Sequence, residues 1–181
     1  VTYSTIVADP PWPQKGGGSL MGREGFLDAG GKSLPLPYKT MTIDEIAALP
    51  IDAAPDAHLY LWTPSGFLPD AFRVVAAWGF RYSTTLVWAK RPIGFGLGGA
   101  YGIATEFVLF ARRGKLPAIG RVGRNWFDWK RPYDKRGKPR HSAKPPAFFD
   151  LVQTVSPGPY LEMFARDSRP GWDAWGDEAP L

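Results

Sequence analysis

The chain of 181 residues has no cysteine and only two histidines, His58 and His141, far apart in sequence. The first absence excludes disulfides and thiolate metal sites, and the second leaves no imidazole cluster, so no metal site is expected. Long hydrophobic runs are lacking too. None approaches the roughly 18–20 residues that a membrane-spanning helix needs. No basic-then-apolar segment of the signal type opens the residues given, and the expectation is a soluble, cytoplasmic protein with no membrane partner. Acids are scarce in one place. Between Arg121 and Arg140 eight Lys or Arg face only Asp128 and Asp134, so the net charge of +5 is local and the remainder of the chain is close to neutral. A local cationic stretch is the expected footprint of contact with a polyanion.

What is present is a core. Hydrophobic residues make up 44% of the chain, too many for a disordered segment, and the length fits a single domain over 1–181. Residues 4–8 read as a short buried strand, and 13–37 as a long loop rich in Gly and Pro. A capping pair, Thr42 and Glu45, opens a helix whose apolar face is Ile43, Ile46, Ala47 and Leu49 and which Pro50 stops. Strands are predicted at 58–62, 83–90, 106–111 and 160–165, and helices at 65–78 and 145–155. A basic connection runs over 113–143. Alternating strands and helices imply an α/β sheet covered on both faces. Ligands of such sheets sit beyond the carboxyl ends of the strands. The stretch "DPPW", Asp9 to Trp12, falls at one such end, "TP" after "HLYLW" at a second and "RD" after "EMFA" at a third.

Asp-Pro and Pro-Pro are common turn punctuation, and a Trp beside them is often a packing residue. A chemical reading is available as well. The exocyclic amine of adenine is a poor nucleophile because its lone pair is delocalised into the ring. Two acceptors facing its hydrogens favour pyramidalisation, and the Asp9 carboxylate and Pro10 carbonyl form such a pair. Pro10 and Pro11 fix the backbone at little entropic cost. Trp12 offers a face for a flat base.

The ordered set "ADPPW", "LPYKTMTIDEIAALPI", "HLYLWTP", "LVWAK", "TEFVLFARRGK", "HSAKP" and "SPGPYLEMFARDSRPGWDAWGDE" resembles the DPPW-type adenine-N6 methyltransferases. These are related to the eukaryotic mRNA adenosine methyltransferase and have many bacterial and phage members. The likeness covers almost the whole chain. It implies a Rossmann-like α/β methyltransferase fold with permuted order, catalytic motif first and cofactor-binding segment last. It implies S-adenosylmethionine as cofactor, held by Asp9, Lys144, Glu162, Phe164, Arg166, Asp177 and Glu178, with Lys144 on the methionine carboxylate. It places Tyr38 at a loop aromatic, bracketing the base with Trp12, and puts Glu106 and Lys90 beside the substrate. The setting it implies is the cytoplasm of a bacterial or phage-infected cell. The sequence departs from the eukaryotic pattern where Asp167-Ser168 replaces a His-Asn pair and Asp177 replaces an Asn. The expected reaction is methylation of adenine N6 in DNA. RNA as substrate, and a non-catalytic nucleic-acid-binding subunit of the same fold, are the alternatives, and a homodimer or partner subunit stays open.

Other features are weaker. "GFGLGG" (94–99) has the spacing of a dinucleotide loop but precedes a strand rather than a helix, so it reads as a turn. The glycines of 16–31 read as a flap. Arg124, Lys130 and Arg131 interleave with Trp126 and Trp129. That pattern fits either a solvated loop or cations for phosphate and rings for unstacked bases. His58, Trp62, Trp78 and Trp88 read as structural, and Trp172 and Trp175 as packing or as a shield for the cofactor.

Overall fold

The computed structural model describes residues 1–13, 26–27, 33–34, 39–90, 101–133, 135–137 and 143–176. In chain order the elements are β1 (Tyr3–Ala8), β2 (Phe26–Leu27), β3 (Ser33–Leu34), α1 (Ile43–Ala47), β4 (Ala53–Pro64), α2 (Leu68–Ala77), β5 (Arg81–Ala89), β6 (Thr105–Arg113), β7 (Trp126–Phe127), α3 (Pro146–Val155), β8 (Tyr160–Met163) and β9 (Trp172–Trp175). Seven strands form one sheet in the order β7-β5-β6-β4-β1-β8-β9. Only β6 runs against the other six. This is a Rossmann-like mixed α/β architecture.

Period-two alternation decides which face each side chain meets. Ile6 and Ala8 of β1, Leu59 and Leu61 of β4, Leu109 and Ala111 of β6 and Leu161 and Met163 of β8 share one core layer with Ile46 of α1 and Ala71, Val74 and Val75 of α2. Val7, Tyr60, Trp62, Val108 and Phe110 point the other way, onto Phe148, Phe149 and Val152 of α3. Burial on both faces explains why β1 and the centre of β4 read as unbroken apolar runs rather than as alternating ones.

The helices begin and end where expected. Thr42 Oγ1 accepts from Glu45 N at 3.2 Å while Thr42 N donates to Glu45 Oε2 at 2.7 Å, the reciprocal box that satisfies two free amide donors. The helix expected at 65–78 opens as a 3-10 turn, Ser65–Phe67, and continues as α2 until Gly79, whose φ of 76° suits a residue without Cβ.

Four expectations need correction. The strand expected at 58–62 extends over Ala53–Pro64, because Ala57, Thr63 and Pro64 pair with β6 and Ala53 pairs with Tyr3 of β1. The loop expected at 13–37 carries a minimal antiparallel pair, β2 with β3. The basic connection contains β7, two residues long, which pairs with β5. The tail contains β9, paired with β8. Short edge strands like these are set by a neighbour's unpaired backbone rather than by their own pattern, so periodicity does not expose them. The glycine-rich stretches 16–18 and 94–99 lie outside the described residues.

One buried polar chain locks α3 to the sheet. The Leu116 carbonyl accepts from His58 Nε2 at 3.1 Å, so His58 Nδ1 is the acceptor of the Ser156 hydroxyl at 2.7 Å. Ser156 Oγ in turn accepts from the Tyr60 hydroxyl at 2.8 Å. Burial holds His58 below its ordinary pKa, keeping it neutral, and pushes Tyr60 up to about 12. Ser156→Ala leaves two buried groups unpaired and is expected to cost about 2 kcal/mol. Thr154→Ala, at an exposed hydroxyl, should stay within about 0.5 kcal/mol of wild type. Urea unfolding with an unchanged slope checks both, and equal midpoints would exclude the role of the chain.

Candidate active site

The sheet's register gathers the site. Val7 sits beside Tyr60 on one neighbour and Glu162 on the other, and Glu106, at the start of antiparallel β6, pairs with Pro64 and Trp88. The carboxyl ends of β1, β4, β5 and β8 thus share a rim with the amino end of β6. By parity Asp9, Trp62, Glu106 and Glu162 face the α3 side of that rim. The segment leading into α3 adds Lys144.

At the rim lies a four-charge network. Lys144 Nζ is 2.9 Å from Asp9 Oδ2 and 3.1 Å from Glu106 Oε2, and it stands 5.0 Å above the Trp62 ring. Lys90 pairs with the other Glu106 oxygen. Burial pushes Glu106 up, but Lys144 and Lys90 more than offset this and bring it down to about 2. Burial works against the Lys144 ammonium, and Asp9 and Glu106 overcome it, so Lys144 is held protonated. Asp9 is different. Burial raises its carboxyl above the ordinary value, Lys144 opposes this and Glu106 adds to it. The network therefore leaves one carboxylate fully committed and one, Asp9, readier to accept a proton or a donor's hydrogen bond.

The turn after Asp9 is tightly held. Trp12 N donates to the Pro10 carbonyl at 2.8 Å, and Met41 N donates to the Pro11 carbonyl at 2.9 Å. The Pro10 oxygen keeps a second lone pair for another donor. The structure corrects the expectation for Trp12. Its ring is 8% exposed, stacks on Phe67 at 5.7 Å, and donates from Nε1 to the Trp62 carbonyl at 3.0 Å. It pins the turn to β4 and is not an open face for a base. The chain crosses the sheet edge at Pro10, so Trp12 lands on the α1–α2 side. Tyr38 lies outside the described residues.

Beside Asp9 a cleft of about 400 Å³ opens between the ends of β1 and β8, lined among others by Asp9, Lys144, Glu162, Phe164 and Arg166. It lies where the chain's connections diverge, with α1 and α2 leaving on one face and α3 returning on the other. This is the switch point at which such sheets bind ligands. Phe164 takes a left-handed φ of 62°, and its N–H donates to the Trp175 carbonyl at 2.5 Å. A Cβ at Gly176 would meet Phe164 Cα at 2.9 Å, so β9 closes on this bend only through glycine. Trp172 is buried against Tyr160 and Phe149, whereas Trp175 is exposed and meets Phe164 edge-on. Asp177 and Glu178 lie outside the described residues.

Of the expected substrate-side cations, Lys90 joins the network. Arg124 stands over the Trp126 and Phe127 rings, away from the cleft, and neither Lys130 nor Arg131 lines the cleft. Sequence reasoning missed Arg169, whose Nε lies 3.7 Å from Glu162 Oε2 and whose guanidinium covers Phe149 at 3.5 Å. It also missed that Trp62 backs Lys144. Parity along "HLYLW" would have put Trp62 on the Asp9 face, but no local signal marks Arg169.

Burial pushes Glu162 up to about 7, Arg169 opposing it and Asp9 and Asp167 adding to the rise. An unfolded Glu titrates near 4.5. Between those values the folded protein holds a proton that the unfolded chain has lost, so this group's contribution to stability falls as pH rises through the window. Glu162→Gln removes that contribution. Its melting temperature relative to wild type is expected to climb from about pH 5 to about pH 8. A difference that stays constant with pH would show that Glu162 titrates normally.

Residues 3–94 and 135–178 match the MT-A70 family. The chain is 33% identical to the type II methyltransferase M.MunI of Mycoplasma sp, across 98% of this chain and 78% of that protein. It is 30% identical to the N6-methyladenosine RNA methyltransferase MTA1 of Cryphonectria parasitica, across 97% of this chain and 51% of that protein, so it spans about half of this relative's length. A 39-residue stretch is 51% identical to the N(6)-adenine-specific methyltransferase METTL4 of Homo sapiens, covering 21% of this chain and 8% of that one. With the "DPPW" turn at the end of β1 and the cleft beside it, this protein belongs to the MT-A70 family.

Proposed function

We propose that the protein transfers a methyl group from S-adenosylmethionine to the N6 amine of adenine in DNA. The observation that carries this reading is that Asp9 lines the cleft between β1 and β8 from a turn held rigid by two prolines, with the Pro10 carbonyl next to it in the chain. The residues of the cleft fit the cofactor. Glu162 Oε2 is buried with no hydrogen-bond partner among the described residues, an acceptor suited to a ribose hydroxyl. Lys144 suits a carboxylate, and Val7, Met163 and Phe149 form an apolar wall. Phe164 and Arg166 complete the mouth, with Asp177 and Glu178 as further cofactor residues. When bound, S-adenosylmethionine supplies an electrophilic methyl group on a sulfonium.

The chain's own residues do the remainder. Asp9 and the Pro10 carbonyl each accept one amine hydrogen, which turns the nitrogen lone pair out of the ring plane and toward the cleft. Loss of the methyl group would leave a neutral thioether in the cleft, and the proton that the methylated amine then sheds would pass to Asp9, which lines that cleft. Lys144 keeps Asp9 aligned, and Glu106 with Lys90 keeps Lys144 charged. Trp12 and Pro11 act through the turn, holding the acceptors still. Tyr38 serves as the base's aromatic neighbour. Arg124, Lys130 and Arg131 meet the strand outside the cleft.

DNA is supported by the relative aligned over most of its own length being a type II methyltransferase. RNA is the second reading, favoured by the two relatives named for RNA at 97% coverage of this chain. Nucleoside mass spectrometry after incubation with S-adenosylmethionine and duplex DNA, single-stranded DNA or RNA separates them. N6-methyladenine is expected in DNA. Asp9→Ala is expected to lower its formation at least about 100-fold, as for loss of a directed transition-state contact, while strand binding holds within a few-fold. Full activity in the purified variant would sink the role of Asp9.

A further inference from the structure

A second concavity of about 800 Å³ lies on the α3 side of the sheet, over β5 and β6, and shares no lining residue with the cleft. Leu86, Phe110 and Phe127, all buried, form its floor, and Arg112, Arg121 and Arg124 stand around it. Among the described residues no Asp or Glu lines it. Arg112 lies over the Phe110 ring at 5.3 Å, and its Nε is shut off from solvent with no hydrogen-bond partner among the described residues. Three guanidiniums with no carboxylate among the described lining residues, one of them with an unsatisfied Nε, form a site short of negative charge.

We infer that this groove binds a single-stranded stretch of the substrate nucleic acid flanking the target adenine, phosphates on the arginines and bases against the apolar floor. The inference rests on the nucleic-acid reading of the active site. Charge complementarity selects a polyanion, and the rings select one with planar apolar faces. Continuity with the active site selects the flanking strand. Glu106 pairs across the sheet with Trp88, and Trp88 with Phe127, the residue that both floors the groove and adjoins Arg124 and the half-exposed Trp126. Two strand spacings, about 10 Å, separate Glu106 from β7, and Arg112 lies six residues along β6 from Glu106, about 20 Å, so a strand of several nucleotides spans the rim and the groove. An adenine turned out of its stack leaves its neighbours unstacked as well, and those are the bases for which such a floor is suited.

The test compares strand lengths. Fluorescence anisotropy gives the affinity of the intact protein for a labelled single-stranded adenine-containing DNA of about 12 nucleotides and for a trinucleotide. Wild type is expected to favour the longer strand at least tenfold. In Arg112→Gln/Arg121→Gln that advantage should drop below threefold, and the salt slope on the long strand should shrink by about 1.4, two phosphate contacts at about 0.7 each. Thr84→Trp fills the groove without changing charge. It should abolish the same advantage, and it stands in if the arginine variant does not fold. Unchanged length dependence in a folded variant overturns the inference. A wild-type dimer that Thr84→Trp converts to a monomer, with strand affinity intact, also overturns it and assigns the groove to a second copy of the chain. N6-methyladenine formed on the same strands scores the reaction separately. Product with unaltered length dependence removes the groove and keeps the chemistry, and length dependence without product does the reverse.

Discussion

A protonated amine held between two carboxylates inside a protein is the constraint on which the site is built. Asp9 and Glu106 approach a common point from different strands, and without Lys144 their mutual repulsion and lost hydration would drive one of them to take up a proton. With Lys144 in place, and Lys90 behind Glu106, the charges balance in pairs. Lys144 can reach that point only because α3 packs Phe148, Phe149 and Val152 on the sheet, which sets the segment before the helix over Trp62. The His58–Ser156–Tyr60 chain fixes the far end of the same helix. Packing on α3 and polarity at the rim are therefore one arrangement: loosening the first displaces the second.

The antiparallel strand has a chemical consequence. In a fully parallel sheet each strand offers its carboxyl end to the ligand rim. Reversal of β6 brings an amino end there instead and delivers Glu106 between Pro64 and Trp88. That carboxylate anchors the cation that serves Asp9. The cleft on the opposite side of β1 is of a different kind. Its own acid, Glu162, is poorly compensated by Arg169 and sits near neutrality. One rim thus carries a satisfied network that holds Asp9 still beside a buried carboxylate whose charge is only partly compensated.

Much of this was legible in the residues. The apolar runs that stop before Asp9, Thr63-Pro64 and Arg166-Asp167 place three strand ends on one rim, although the last strand ends at Met163, two residues short of its run. The Thr42–Glu45 pair announces α1, and the prolines before Phe148 announce α3. The "DPPW" stretch marks the site because its residue types restrict the backbone wherever they occur. Trp12 shows where such reading stops. A Trp next to a substrate motif suits stacking or packing equally well by composition. Only the crossing of the chain at Pro10 decides that Phe67 takes its face. Arg169, β7 and β9 carried no pattern, since each is defined by a partner distant in sequence.

The sequence by itself determined the α/β class, the order of the central strands and helices along the chain, and the rigid turn after Asp9, because periodicity, capping and proline act over a few neighbouring residues. The tertiary structure alone decided strand order and direction, the reversal of β6, and the meeting of positions 9, 90, 106 and 144 at one point. It alone turned Trp12 inward and raised an arginine-lined groove over β5 and β6. These are products of long-range packing and of charge compensation among buried groups, and both depend on which residues become neighbours only once the sheet has formed.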